Sequence, residues 1–572
     1  MLNKSNILYY FTIALLGFLG LRLFQLQILD YQKYKTLAKN NTSRTAITRA
    51  PRGIIYDRHG EILATSKQSL SVIVFPAALQ DKEAVAKILS NFIEIDYQEL
   101  LDIFLKMDPS TPLPITLDND ISIESAIKIY ENQNYLPGIA VEKQATRYYP
   151  HKEIAAHVLG YVGQINSQEL KEARSRGLGL GDIVGKEGLE KVFDQELQGT
   201  KGEARVVVDR YGKSLITDSR DKRVIKPAIK GENLHLTIDI GLQKIAIEAL
   251  EGKQGAAVAI NPRNGEIYCL VSSPSFDPNI FTKPVPFKLY QSLLNSKAFL
   301  NKAISAYTPG SIWKPITAIA ALEHGVVNIN EYLKVGGSIN YAGFQFGDWT
   351  SKEGQMNLID ALEWSRNTYF YQIAKRMKAE WISNIGSKFG AGQVTGIELL
   401  GESQGILPSP EWKKKKLKEQ WFPGNTLHFA IGQSFLMLSP IQAARLISGI
   451  ANKGLLPQPH LIKNKDKEVL LDIDGISEES YNIVEMGLKK CITTGTGQAS
   501  RLKEIEVAGK TGSAEVRGYD HSTHGWFAAY APAKDPEIAI VVFLEGGGHG
   551  GTVAAPVAKK IFEAYFSKPS SK

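Results

Sequence analysis

Three short motifs stand in order in the second half of this chain: Ser311-Ile312-Trp313-Lys314, Ser365-Arg366-Asn367 and Lys510-Thr511-Gly512, the last being its one K-T-G. If they work together, the fold must gather widely separated segments into a single cleft. Singly they are weak signals. S-x-x-K recurs at Ser125 to Lys128, Ser219 to Lys222 and Ser500 to Lys503, and S-x-N at Ser338 to Asn340 and Ser480 to Asn482. Context separates them. The Ser125 pair lies in an amphipathic helical run, where both side chains read as solvated. The Ser219 pair lies in the charged stretch SRDKRVIKP, with no apolar stripe to bury a nucleophile. Ser338 falls in a Gly-rich loop and Ser480 on the charged approach to a helix.

Ser311 follows Tyr307-Thr308-Pro309-Gly310 and opens the apolar run SIWKPITAIAALEHG, which predicts a helix beginning after a tight turn. Pro315 fits only near a first turn. Lys314 then stands one turn on, on the same face as Ser311. A serine hydroxyl is a poor nucleophile without an adjacent base, and a lysine serves if burial lowers its pKa towards neutrality. Trp313 and its apolar neighbours supply that burial. Ser365-Arg366-Asn367 separates the helical runs NLIDALEWS and NTYFYQIAKRM and predicts a short corner, with Ser365 relaying a proton and Asn367 holding a substrate amide. Plain helix capping is the alternative. Lys510 and Thr511 suit a carboxylate, Gly512 lets a ligand approach the strand, and the N–H groups of Ser311 and Ser513 suit an oxyanion. Here the alternative is a charged sheet edge that resists aggregation. Taken as a set, the motifs point to acyl transfer through an active-site serine. Arg366 is expected as a cation at the cleft mouth, and His524 in a structural role.

The 572 residues exceed one compact core, so two or more domains are expected. A net charge of +8 is a mild excess over this length, and no compact basic motif with interleaved aromatics suggests nucleic acid. Cys269 and Cys491 are the only cysteines, and neither has metal spacing. A disulfide scaffold is excluded by count, and Cys269 reads as a buried strand residue. Ile7 to Leu29 is about one bilayer span of apolar sequence without a signal-peptide cleavage site, with a buried core helix or a cleaved signal as the alternatives. Lys4 precedes it, whereas Lys33, Lys35, Lys39 and Arg44 follow, so positive-inside counting puts the bulk of the chain in the cytoplasm.

Beyond the anchor, RAPRGIIYDRHGEILATS predicts a hairpin turning at Arg58-His59-Gly60, and SVIVFP a strand. DKEAVAKILSNFIEI, SIESAIKIYENQ and GLEKVFDQELQG predict helices and ARVVVDRYG a strand. A second unit begins near Asn233 with the strand LHLTID, the helix GLQKIAIEALEG and a hairpin turning on Asn264-Gly265. IEVAGKTGSAEV, HGWFAAYAP and EIAIVVFLEG predict three more strands, and APVAKKIFEAYF a terminal helix. The region from about Phe281 to Lys490 reads as mostly helical. The expected class is α+β: an antiparallel sheet built from both ends of the unit, a helical lobe, and a cleft between them.

With these residues in place, the chain resembles the penicillin-binding proteins and serine β-lactamases, whose three-motif set it carries. APRGIIYDRHGEILA, RYYPHKEIAAHVLGYVG, GKEGLEKVFDQELQGTKG and GTVAAPVA resemble class B penicillin-binding proteins, and LHFAIGQSFLMLSPIQAA the elongation type. The resemblance implies residues 1–6 as a cytoplasmic tail, 7–29 as a transmembrane anchor and 30–230 as a non-catalytic pedestal. It implies 231–566 as the transpeptidase domain and 567–572 as a tail. It further implies a peptidoglycan D,D-transpeptidase acting outside the cytoplasmic membrane, against the charge count. Ser311 would attack D-alanyl-D-alanine, Lys314 act as base, Ser365 as relay, Asn367 position substrate, and Lys510 and Thr511 hold the terminal carboxylate. Penicillin would acylate Ser311, and the pedestal would contact a polytopic glycosyltransferase that supplies glycan strands. Some members bind zinc before the S-x-N motif. FGDWTSKEGQMNLIDALEWSRN has neither His nor Cys, so no metal or other cofactor is expected. A hydrolase that admits water to the same acyl-enzyme, and a β-lactam sensor or scaffold, are the rival readings.

Overall fold

Alternating small and large apolar residues in five strands build the sheet on which the C-terminal part of the chain is organised. The computed structural model describes residues 4–35, 43–48, 50–109, 114–176, 178–179, 182–207, 223–283, 285–463, 470–515 and 523–567. The Ser219 to Lys222 pair, the DRYG end of one predicted strand and the tail beyond Ser567 lie outside them. Gly255–Ile260 and Ile267–Ser273 form the predicted hairpin, with Gly265 at φ +85° in its turn. The sheet runs Ile267–Ser273, Gly255–Ile260, Ile538–Leu544, Thr523–Ala531 and Ala508–Glu515, antiparallel throughout. Both ends of the unit therefore contribute strands, as expected.

Each strand buries two faces. Ala257, Ala259, Phe527, Ala529, Ile540 and Val542 pack against Leu242 and Ala246 of helix Ile240–Ala249 and Ile561 and Phe562 of helix Ala555–Ser567. Their neighbours Val258, Ile260, Trp526, Ala528, Val541 and Phe543 face the helical lobe. A side-chain period of two sends successive residues to opposite layers, and apolar residues on both faces make the sheet a buried middle layer. Cys269 is fully buried there, and desolvation pushes its thiol pKa far up. The lobe departs from the helical expectation by carrying small hairpins, pairing Leu333–Val335 with Gly354–Met356 and Ser338–Tyr341 with Phe344–Gly347. Ser338 thus lies in a strand and not in a loop.

In the N-terminal part, the long strand Ile62–Val74 follows the Gly60 turn from Ile55–Tyr56 and pairs with Ile115–Ile121 and Ile139–Tyr148. Val72, Val74, Leu89, Leu100, Phe104 and Ile129 form a core between this sheet and the helices Lys82–Leu89, Tyr97–Lys106 and Ile123–Glu131. GLEKVFDQELQG forms two short helices, Gly188–Val192 and Asp194–Gln198. Leu234–His235 pairs in parallel with Ile55–Tyr56, so the strand expected to open the second unit instead extends the N-terminal sheet. Helix Lys4–Phe24 continues through a π-helical turn to Leu29, and Asn6–Leu29 has a mean hydropathy of 1.9 with none of it buried in the protein. That exposure removes the buried-core-helix reading and leaves a candidate membrane span or signal sequence.

Glu190 is fully buried and accepts from Arg52 Nε and Arg147 Nε at 2.6 Å each. Burial pushes its carboxyl pKa up, but Arg147 and Arg52 more than offset this and hold it below the usual value. A depressed carboxylate stabilises the fold above its unfolded pKa and loses that contribution as pH falls through the folded value. Stability of the N-terminal part is therefore expected to decline below about pH 4. Glu190→Gln at neutral pH leaves the buried Arg147 without its charged partner, while Arg52 keeps Asp194, and is expected to cost about 3–5 kcal/mol in denaturant unfolding. An unchanged unfolding midpoint would remove the cluster from its structural role.

Candidate active site

Ser311 lies in a 3₁₀ turn, Gly310–Trp313, that feeds helix Lys314–Glu323, so the α-helix begins three residues later than the sequence suggests. The difference matters for chemistry. At three residues per turn, positions i and i+3 eclipse, which sets Lys314 directly beyond Ser311. Pro315 occupies the first α-helical turn, where its missing N–H loses no bond. Trp313 is buried and stacks on Phe429 at 5.8 Å, fixing the turn from beneath. Gly310 N–H donates to Gly432 O at 2.9 Å, and Trp526 Nε1 donates to Thr308 O at 2.9 Å.

The turn is docked on the Lys-Thr-Gly strand with almost no space between backbones. A Cβ on Gly310, at φ +58°, would lie 2.6 Å from Ser513 O. One on Gly512 would lie 2.9 Å from Pro309 O and 3.0 Å from Ile312 Cγ2. Gly512 therefore admits the nucleophile's own turn, where the sequence suggested a ligand, and the strand Ala508–Glu515 runs through it without interruption. This strand is the edge of the sheet, so one side of its backbone is unpaired within the sheet. Ser513 O faces the Ser311 turn. In an extended strand a residue's N–H and C=O point the same way, so the Ser513 N–H faces that turn too.

Lys314 is wholly buried, and its Nζ reaches Ser365 O at 2.7 Å, Asn367 Oδ1 at 2.7 Å and Ser365 Oγ at 3.4 Å. Desolvation and then the charge of Lys510 drive its pKa well below the usual lysine value; Asp348 opposes this and Arg366 adds to it. A neutral amine has two N–H donors and one lone pair. In that form the two carbonyl oxygens at 2.7 Å would take the donors and leave the lone pair for a hydroxyl proton. Among the described residues no hydrogen bond joins Lys314 Nζ to Ser311 Oγ, so the Ser-x-Asn corner holds the amine while Ser311 stays open to the cleft. Ser365 has φ +54°, a left-handed backbone rare for serine, in the corner between helices Leu358–Glu363 and Asn367–Ala374. The predicted corner is present, and its strain turns both oxygens of Ser365 onto Lys314.

Arg366 is not at the cleft mouth. It is 2% exposed, pairs with Asp348 Oδ2 at 3.2 Å, and donates to Gly336 O and Lys352 O at 3.0 and 2.9 Å. Asp348 also accepts from the Thr368 N–H and hydroxyl at 2.8 Å each. Arg366 thus ties the 336–352 hairpins to the corner, because a guanidinium can serve three acceptors at once. Lys510 is fully buried and Thr511 nearly so, which is inconsistent with a solvated, merely protective edge lysine. Lys510 Nζ donates to Thr511 O at 3.1 Å, and burial lowers its pKa. The Thr511 hydroxyl pairs with Thr496 Oγ1 at 2.6 Å, and the Thr496 N–H donates to Glu363 O at 3.3 Å.

Sequence reasoning missed Asp348, Thr496 and His549, whose Nδ1 stands 3.4 Å from Ser513 Oγ. The Thr-Gly-Thr-Gly run 494–497 after a helix was the only available pointer, and it is not specific. His524 takes the expected structural place, its Nδ1 accepting from the Gly546 N–H at 3.1 Å and its ring edge-on to Phe543 at 5.2 Å. Of the other S-x-x-K and S-x-N pairs, Lys128 is spent on Glu124 at 2.7 Å. Ser480 donates to Glu323 and Ser500 to Gly497 O.

Residues 255–563 match the family model for the penicillin binding protein transpeptidase domain, and residues 47–236 match that for the penicillin-binding protein dimerisation domain. The chain belongs to the penicillin-binding protein transpeptidase family. It is 34% identical to the peptidoglycan D,D-transpeptidase MrdA of Acinetobacter baumannii, over 94% of this chain and 84% of that protein. Among solved structures it is similar to Helicobacter pylori PBP2 in complex with MreC, with TM-score 0.80 and 28% identity over 92% of this chain and 99% of that one. It is also similar to a chain from a peptidoglycan synthase complex that coordinates polymerization and crosslinking, with TM-score 0.73 and 29% identity over 100% and 99% of the two chains. The three family motifs are the segments that meet around Lys314.

Gly310→Ala is the sharpest test of the docked turn. Its left-handed backbone costs about 1–2 kcal/mol in a non-glycine residue, and the contact with Ser513 O adds to that. Penicillin acylation, followed by gel or mass, is expected to slow at least a hundredfold in protein that still unfolds cooperatively. Wild-type acylation would show that the turn and strand need not touch.

Proposed function

We propose that this protein is a peptidoglycan D,D-transpeptidase of the cell-wall elongation type, with Ser311 as its acylated nucleophile. The observation that carries the residue assignment is the buried Lys314 amine, fixed between Ser365 and Asn367 one 3₁₀ turn from Ser311. Ser311 Oγ attacks the carbonyl carbon of the penultimate D-alanine, and Lys314, its pKa lowered by burial, takes the hydroxyl proton. The N–H groups of Ser311 and Ser513 receive the oxyanion. Lys510 and Thr511 hold the terminal carboxylate, and Asn367 positions the substrate amide. The carbon–nitrogen bond then breaks, and Ser365 passes the proton from Lys314 to the departing D-alanine amine. An amine of a neighbouring stem attacks the ester, its proton returns by the same route, and Ser311 is restored. A β-lactam opens at its ring amide, and its nitrogen stays tethered in the site, so the acyl-enzyme persists.

Family membership and the named relatives support this reading. On the same grounds we divide the chain into an anchor at 7–29, a pedestal at 30–230 and a catalytic unit at 231–566, with both larger parts outside the cytoplasmic membrane. A large domain is translocated largely regardless of nearby charge, which accounts for Lys33, Lys35, Lys39 and Arg44 following the span. The partner is a polytopic glycosyltransferase of the elongation machinery, and the H. pylori relative's complex with MreC makes a similar protein a further candidate.

Intact mass and peptide mapping after benzylpenicillin treatment test the reading. One adduct on Ser311 lasting hours is expected; rapid loss would indicate a β-lactamase, and an adduct elsewhere would overturn the assignment. Lys314→Ala is expected to reduce acylation at least a thousandfold with the fold intact. The rate should rise with pH as Lys314 deprotonates, with a midpoint well below the ordinary lysine value. A midpoint near the ordinary value would remove Lys314 as the base.

A further inference from the structure

Thr511 and Ser513 project from the same face of strand Ala508–Glu515, because side chains two apart share a face. Each hydroxyl has a partner outside the three motifs. Thr511 Oγ1 pairs with Thr496 Oγ1 at 2.6 Å, while Ser513 Oγ lies 3.4 Å from His549 Nδ1 and accepts from the Gly550 N–H at 3.4 Å. His549 is exposed. It is also the one side chain in the run Gly546-Gly547-Gly548-His549-Gly550-Gly551.

Ordering glycine costs more chain entropy than ordering any other residue, so a run this rich in glycine needs a close contact to account for it. The contact is with the Lys-Thr-Gly strand and its supports. A Cβ on Gly550 would lie 2.3 Å from Gly512 O and 2.1 Å from Trp526 O, and one on Gly551 would lie 2.4 Å from Thr496 O. Backbone thus rests on backbone, and the side chain this seating brings to the strand is a single imidazole beside Ser513.

A carboxylate only accepts hydrogen bonds, whereas a serine hydroxyl has one proton and two lone pairs. Ser513 is the next side chain after Thr511 along the face to which the terminal carboxylate is assigned. Were the Ser513 proton given to Nδ1, the hydroxyl would turn only lone pairs to that carboxylate. With the imidazole proton on Nδ1, two donors, Nδ1–H and the Gly550 N–H, fill both lone pairs of Ser513 Oγ and leave its proton for the ligand. A bond from that proton to a carboxylate is charge-assisted, so a bound ligand favours this tautomer.

We propose, on the transpeptidase reading that sets the carboxylate at Thr511, that His549 is a positioning residue for that carboxylate: through Nδ1–H it turns the Ser513 hydroxyl proton towards the ligand.

The full chain in detergent is treated with benzylpenicillin and with its methyl ester, which lacks the charged acceptor, and the Ser311 adduct is followed by intact mass. His549→Ala is expected to slow the acid about fivefold or more and the ester less than about twofold. A distorted site would slow both alike. His549→Asn, whose amide Nδ2 can donate from the place of Nδ1, should return the acid to within about twofold of wild type. In a Ser513→Ala chain, adding His549→Ala should change neither rate, because the hydroxyl it acts through is gone. Equal slowing of acid and ester, no slowing of the acid, no recovery in His549→Asn, or an undiminished effect of His549→Ala without the Ser513 hydroxyl would each overturn the role of His549 alone. A wild-type chain with no adduct on Ser311 would overturn the transpeptidase reading, and the placement of the carboxylate with it.

Discussion

A lysine amine withdrawn from water and held between two carbonyl oxygens is the constraint around which the catalytic unit is arranged. Left in solvent, Lys314 would be protonated and useless as a base. Lowering its pKa requires burial on every side, and burying an amine is tolerable only if its donors are satisfied. Ser365 O and Asn367 Oδ1 satisfy them, and the strained φ of Ser365 is what brings that carbonyl into place. Lys510 lies close enough for its charge to lower the Lys314 pKa further. The three motifs thus act on one proton affinity, which explains why they must meet.

The supports around this amine are tightly joined. Arg366 and Asp348 anchor the corner to the 336–352 hairpins, and Thr496 links the helix before the corner to Thr511. Gly310 and Gly512 let the nucleophile's turn and the sheet edge approach to backbone contact. A shift of this turn would therefore move Ser311 and the Ser513 N–H relative to one another. Farther out, Leu234–His235 stitches the catalytic unit to the N-terminal sheet, and Glu190 between two arginines stiffens that sheet's base. The N-terminal part is therefore hydrogen-bonded to the unit that carries the chemistry.

Much of this was legible in the chain. The two-sided apolar strands, the Gly60 and Asn264-Gly265 turns, the terminal helices and the three motifs are local patterns, set by side-chain period and backbone preference over a few residues. The role of Arg366 was not legible: an arginine between two helices reads as exposed, and only the hairpins folded over it supply Asp348, Gly336 O and Lys352 O. Gly512 was read correctly as a point of close approach, but what approaches is a segment far away in sequence. The 3₁₀ turn at Ser311 was likewise invisible, because its bond pattern is set by docking on the strand.

The sequence by itself pointed to the three motifs, to most of the sheet strands and flanking helices, and to one apolar helix long enough to cross a membrane, because those depend on residue type and short-range period. Only the tertiary structure decided that burial and Lys510 drive the Lys314 pKa well below the usual lysine value, and that the Ser311 turn docks against the strand at Ser513. Proton affinity and hydrogen-bond satisfaction depend on what surrounds a group in space, and those surroundings come from segments the chain brings together only by folding.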